Sequence, residues 1–178
     1  MIGVLVSGGG TNLQALLDAG LPVVAVASNT PDAPALARTG TIPAASFELA
    51  DYPDRSARDA EMAAWLREHG AEIVVLAGYM HLLTPEFLDR YPDAVVNVHP
   101  SLLPAFPGAH AVEDQLAAGV AESGATVHLV DRGVDSGPIL AQERVPVRAD
   151  DTPETLHARI KELEHRLLPR VVGELCAR

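Results

Sequence analysis

The chain has 178 residues, 48% of them hydrophobic, and a formal charge of −11. That length suits one domain with a sizeable core, the acidic balance disfavours nucleic acid and anionic membranes as partners, and no apolar run is long enough to cross a bilayer. A lone cysteine, Cys176, excludes a disulfide framework and a cysteine metal cluster; with no leader-like stretch before residue 2, the expectation is a cytoplasmic single domain, 1–178, acting on a small molecule.

In chain order, four runs rich in Val, Ile and Leu read as buried strands: IGVLV (2–6), VVAVAS (23–28), IVVLA (73–77) and AVVNV (94–98). Uninterrupted apolar runs of this kind suit parallel strands covered on both faces. Helices are expected at 11–19, 55–70 and 84–91, so the alternation implies right-handed crossovers in a parallel sheet. The segment 30–46 holds one short helix and a loop. ATVHLV (125–130) and ILAQERVPV (139–147) alternate more and read as edge strands. A last helix opens at Thr152 with Pro153 in its first turn; Leu156, Ile160, Leu163 and Leu167 form its apolar stripe, and Pro169 is expected to kink or interrupt it. The fold class is α/β: three layers, α/β/α, around a mostly parallel Rossmann-like sheet with an antiparallel edge.

After the first strand, SGGGTNLQ places three glycines before a helix. Glycines admit close backbone approach, and a helix N-terminus offers unpaired N–H groups, so the turn suits a phosphate. A dinucleotide fingerprint fails: Leu13 fills the third small position, and Ser28, Asn29 and Thr30 stand where an acidic residue belongs. A simple phosphate on the N–H groups of Gly10, Thr11 and Asn12 remains, with equal weight for a merely tight turn.

Asn97 and His99 close the fourth apolar run, where ligands of parallel sheets bind, and Asp135 sits in the turn DRGVDSGP. An amide donor, an imidazole that titrates near neutrality and a carboxylate beside it suit acyl transfer: Asn97 and His99 stabilise an oxyanion, and His99 with Asp135 moves protons. Ser101 lacks a nucleophile elbow and Cys176 is remote, so the substrate's own amine is the simplest nucleophile. His128, in an alternating strand, reads as a structural hydrogen-bonder. The spacing of His99, His110, His128 and Asp135 gives a metal little support. Lys161 and Glu164, three apart on the last helix, read as a solvated pair unless that helix covers the crevice, where Lys161 meets a phosphate and Glu164 an amine.

Together, SGGGTNLQA, VVLAGYMHLLTPEFL, NVHPSLLPAFPGAHA, GATVHLVDRGVDSGPI and EHRLLP, in this order, resemble the phosphoribosylglycinamide formyltransferase family over nearly the whole chain. The resemblance implies formyl transfer from 10-formyltetrahydrofolate to the amine of glycinamide ribonucleotide in purine synthesis, without a metal, by a monomer or homodimer. It maps the catalytic set onto Asn97, His99 and Asp135. Gly10, Thr11, Asn12 and Lys161 then hold the phosphate, and Glu164 receives the amine end. Arg55 and the wall Met80, His81, Leu82 and Leu83 line the folate site, with Asn97 and Val130, Asp131 and Asp135 closing it. Two departures stand out: His81 occupies a position where relatives commonly carry arginine, and segment 30–46 is short and proline-rich.

Three rivals share parts of this pattern. A methionyl-tRNA formyltransferase carries a further domain and a basic surface, and a formyltetrahydrofolate deformylase usually carries a preceding regulatory domain. A non-catalytic folate or phosphate binding module would have no need of a proton-transfer set.

Overall fold

The computed structural model describes residues 1–177. The elements run β1 (Ile2–Val6), α1 (Thr11–Asp18), β2 (Val23–Ser28), a 3-10 turn (Pro34–Arg38), β3 (Ala44–Ser46), a second 3-10 turn (Leu49–Asp51), α2 (Arg55–Glu68), β4 (Ile73–Leu76), α3 (Pro85–Leu88), β5 (Val95–His99), α4 (Ala111–Ala117), β6 (Glu122–Leu129), β7 (Ile139–Pro146) and α5 (Pro153–Cys176). The seven strands form one sheet in the order β3-β2-β1-β4-β5-β6-β7. β1 pairs in parallel with β2 and β4, and β2 with β3. β6 and β7 pair antiparallel, so the expected α/β architecture with an antiparallel edge is the one found.

By contact density the chain divides into two compact units, 1–96 and 97 onward. In the first unit every residue of β1 is buried, as its unbroken apolar run requires. Helix α2 starts where Asp54 accepts a hydrogen bond from Ala57 N–H (2.8 Å), capping an otherwise orphaned donor. The segment 30–46 contains the expected short helical turn and also an unexpected strand, β3, whose Ala45 pairs with Ala27.

In the second unit α5 begins with a reciprocal cap: Thr155 N–H donates to Thr152 Oγ1 (3.3 Å) and Thr152 N–H to Thr155 Oγ1 (2.9 Å). Its predicted stripe, Leu156, Ile160, Leu163 and Leu167, is buried, and the helix packs on β6 and β7. Pro169 does not interrupt it; α5 runs on to Cys176. Proline forfeits one backbone hydrogen bond, but Leu167, Leu168, Val171 and Val172 around it are all buried, and that burial carries the helix across the gap. Helix α4 was not read from the sequence.

Candidate active site

The second unit holds the amide, the imidazole and the carboxylate together. Asn97 and His99 lie on β5, and Asp135 lies in the loop joining β6 to β7. His99 Nδ1 is 3.3 Å from Asp135 Oδ2, and Asn97 Nδ2 is 3.5 Å from Asp135 Oδ1. The other ring nitrogen of His99, Nε2, donates to the Phe106 carbonyl at 2.8 Å. Both nitrogens therefore face acceptors. Phe106 and Asp135 both adopt left-handed backbone, φ +54° and +50°, so mild strain is concentrated at the cluster, as functional sites often show.

Two groups in this cluster escaped the sequence reading. Gly108 N–H donates to Asp135 Oδ2 (2.8 Å). His128 is a hydrogen-bonder as expected, but its partners are the site itself. Its Nδ1 donates to the Leu129 carbonyl (2.8 Å), which leaves Nε2 facing Asn97 Nδ2 (3.3 Å) and Asp135 Oδ1 (3.6 Å). A neutral ring accepts from the amide there, and a charged ring donates to the carboxylate. The signal that finds His128 is its burial in a strand, since a buried imidazole needs partners.

A buried polar lattice fixes the loop after β5. Thr126 Oγ1 donates to the Ser101 carbonyl (2.7 Å) and accepts from Leu103 N–H (3.1 Å). Gln115 holds the Pro100 carbonyl (2.9 Å) and Gln142 the Leu103 carbonyl (2.7 Å). Ser101 is fully buried and spends its hydroxyl on the Ala105 carbonyl (2.6 Å), so it offers no nucleophile. The loop's apolar residues thus rest on a satisfied hydrogen-bond frame.

Burial works against a charged Asp135, but His128, the Gly108 N–H and His99 outweigh it and hold the carboxyl down at about 2. A depressed carboxyl stabilises the fold above its unfolded value of 3.8 and loses that contribution as pH falls through about 2. The stability gap between the wild type and Asp135→Asn should therefore close as pH falls between about 4 and 2. Urea unfolding midpoints across that range measure it; a gap unchanged between about pH 4 and 2 contradicts the assignment. Asp135 also stays ionised through any acid limb near neutral pH, so such a limb belongs to another group.

In the first unit the glycine-rich turn is built against the segment 30–46. Gly10 has φ +71° and a Cβ there would lie 2.5 Å from Ala35 Cβ. Ala35 N–H donates to the Gly8 carbonyl (3.0 Å), and Arg38 Nε to the Gly9 carbonyl (2.7 Å). A Cβ on Gly8 or Gly9 would meet nothing within 4 Å, so these two face open space. Thr11 and Asn12 occupy the first turn of α1, where backbone N–H groups lack helical partners.

Also in the first unit, Arg55 donates to the Leu82 carbonyl, and Met80 N–H donates to Ser7 Oγ (2.9 Å). Met80 and Leu82 are 71% and 58% exposed. His81 and Leu83 between and beside them are partly buried. In the second unit Val130 is partly buried, and Asp131 Oδ1 accepts from Gly133 N–H (2.9 Å) and Ser136 Oγ (2.8 Å), which shapes the loop that carries Asp135. On α5, Glu164 is buried rather than solvated, and Lys161 is partly buried. His157 and His165, one turn either side of Lys161, are both pushed below the usual histidine value, first by burial and then by that lysine. Among the described residues no group of three or more His, Cys, Asp and Glu is placed to hold a metal ion, and no helix is long and apolar enough to cross a membrane.

Comparison with known proteins gives one consistent result. The family described as formyl transferase matches residues 1–172. A phosphoribosylglycinamide formyltransferase of Mycobacterium tuberculosis strain H37Rv is 48% identical over 97% of this chain and 83% of its own length. The crystal structure of glycinamide ribonucleotide transformylase 1 from Symbiobacterium toebii aligns with a TM-score of 0.94 at 46% identity, covering 96% of this chain and 84% of that one. A phosphoribosylglycinamide formyltransferase structure from Bacillus halodurans aligns at 0.95 and 39% identity, covering 99% and 95%.

Proposed function

The chain belongs to the formyl transferase family, and from that premise we propose that it moves the formyl group of 10-formyltetrahydrofolate to the amine of glycinamide ribonucleotide, a step of purine synthesis. The observation that carries this reading is the amide, imidazole and carboxylate cluster of Asn97, His99 and Asp135. Bound 10-formyltetrahydrofolate supplies a one-carbon unit ready for transfer to an amine. The exposed apolar pair Met80 and Leu82, with backbone groups already fixed by Ser7 and Arg55, fits a flat heteroaromatic ring; His81, Leu83, Asn97, Val130, Asp131 and Asp135 complete the proposed folate set.

Asn97 Nδ2 lies 3.3 Å from His128 Nε2 and 3.5 Å from Asp135 Oδ1, and the amide hydrogen on the longer contact is held weakly enough to exchange for a substrate oxygen. That hydrogen stabilises negative charge developing on the formyl oxygen. The ribonucleotide amine attacks the formyl carbon, and as the bond from that carbon to the folate nitrogen breaks, His99 relays the proton lost by the amine to the departing nitrogen, while Asp135 keeps the ring oriented. Gly10, Thr11 and Asn12 hold the ribonucleotide phosphate with Lys161, and Glu164 faces its amine end. The whole chain acts as one cytoplasmic domain on small molecules, as a monomer or homodimer.

Purified protein mixed with 10-formyltetrahydrofolate should release tetrahydrofolate only when glycinamide ribonucleotide is present. Release without the ribonucleotide would assign a deformylase, and tight folate binding with no release would leave a binding module.

A further inference from the structure

Four ties hold the segment after β4. Met80 N–H donates to Ser7 Oγ, Arg55 to the Leu82 carbonyl, and Thr84 N–H to Asp59 Oδ2 (2.8 Å). The fourth joins Arg58 Nη1 to His81 Nδ1 at 2.8 Å. Arg58 and Asp59 are both fully buried, and Arg58 binds Asp59 Oδ1 through Nε (2.9 Å) and Nη2 (2.7 Å). Arg58 is thereby fixed, with Nη1 the nitrogen turned to His81. A guanidinium has donors only, so His81 Nδ1 must present a lone pair, and the ring hydrogen sits on Nε2.

We propose that His81 is a positioning residue for the segment Met80–Leu83: as a neutral imidazole with its hydrogen on Nε2, it accepts from buried Arg58 and holds that backbone in the shape that receives the folate ring. The role rests on the function proposed above. On the far side, Nε2 lies 3.3 Å from the Asn29 amide nitrogen position, and Ser7 Oγ lies 2.6 Å from the amide oxygen position. His81, Arg58, Asp59 and Thr84 form one chain of hydrogen bonds linking the segment after β4 to α2.

Protonation of His81 breaks this chain. An imidazolium would set a donor and a like charge against Arg58, with Arg55 adding a second cation from α2. Asp59 is the acid within reach, and it is committed to Arg58 and Thr84. Tyr79, whose ring centre is 5.9 Å from that of His81, gives no negative charge, because burial pushes its hydroxyl up to about 12. Neither Ser7 nor Asn29 carries a charge. Burial first, and then Arg58 and Arg55, accordingly hold His81 below the usual histidine value.

Two measurements test the proposal. Long-range proton–nitrogen spectra of the histidine rings, with His81 identified by its absence in His81→Asn, should show a neutral ring with hydrogen on Nε2 at pH 7. Hydrogen on Nδ1, or a charged ring at that pH, overturns the proposal. The second is the KM for 10-formyltetrahydrofolate at pH 7 with saturating ribonucleotide. His81→Phe, with no acceptor, should raise it about tenfold with kcat changing much less. His81→Asn keeps an acceptor near the Nδ1 position, so its KM should stay within a few fold of the wild type. An unchanged KM in His81→Phe, or a KM raised as far in His81→Asn, sinks the positioning role alone. A wild type without ribonucleotide-dependent turnover sinks the function itself, and the folate role with it.

Discussion

Replacing His99 with alanine should lower kcat by about a thousandfold or more, with both KM values within a few fold of wild type. The expectation follows from what the ring touches. His99 is 5% exposed, held between the Phe106 carbonyl and the Asp135 carboxylate, so it is oriented before any substrate arrives. Its loss removes charge stabilisation and proton delivery together, and neither is needed to bind the ribonucleotide phosphate or the folate ring. Asn97→Ala should fall by about a hundredfold or more, because it removes one donor and leaves the imidazole in place. Steady-state kinetics with both substrates varied separates the two; a loss smaller than tenfold in His99→Ala would remove this residue from the chemistry.

Gly10→Ala should destabilise the protein by about 2–4 kcal/mol, combining left-handed backbone strain with overpacking. The new methyl group would sit 2.5 Å from Ala35 Cβ and 2.8 Å from Ala35 Cα, and neither atom is the far end of a flexible side chain that could swing away. The first turn of α1 would shift, so KM for the ribonucleotide should also rise more than tenfold. Gly9→Ala is the matched control. Its added Cβ meets nothing within 4 Å, so folding stability should stay within about 0.5 kcal/mol, while KM rises if the phosphate approaches this backbone. Urea midpoints and KM values for the two variants separate a tight turn from a ligand cradle. Equal stability of Gly10→Ala and wild type would contradict the close approach.

The parallel strands and the α5 stripe were legible because their patterns are long and apolar. β3 was not: Ala44–Ser46 contains no β-branched or aromatic residue, and the strand exists through pairing with β2. α4 was missed because Ala111–Ala117 is short and mixes three buried residues with acidic ones. Of the two outcomes expected at Pro169, a kink or an interruption, the interruption does not occur, because local preference lost to burial of the flanking Leu and Val residues. At the site, side-chain chemistry pointed to Asn97, His99 and Asp135, whereas the Phe106 carbonyl and the Gly108 N–H are backbone groups that every sequence carries. The Arg58–Asp59 pair was hidden for another reason: neighbours in a helix usually point apart, and only the fold turns both inward on His81 and Thr84. Glu164 looked solvated by spacing alone, and its burial depends on how α5 packs.

The most direct measurement follows the carbon itself. With 10-formyltetrahydrofolate labelled with carbon-13 at the formyl group, and glycinamide ribonucleotide present, carbon NMR should show the label passing into the formamide of the ribonucleotide, with His99→Ala slowing its appearance about a thousandfold. Label that accumulates as free formate at the same rate in the presence and absence of the ribonucleotide would contradict the account.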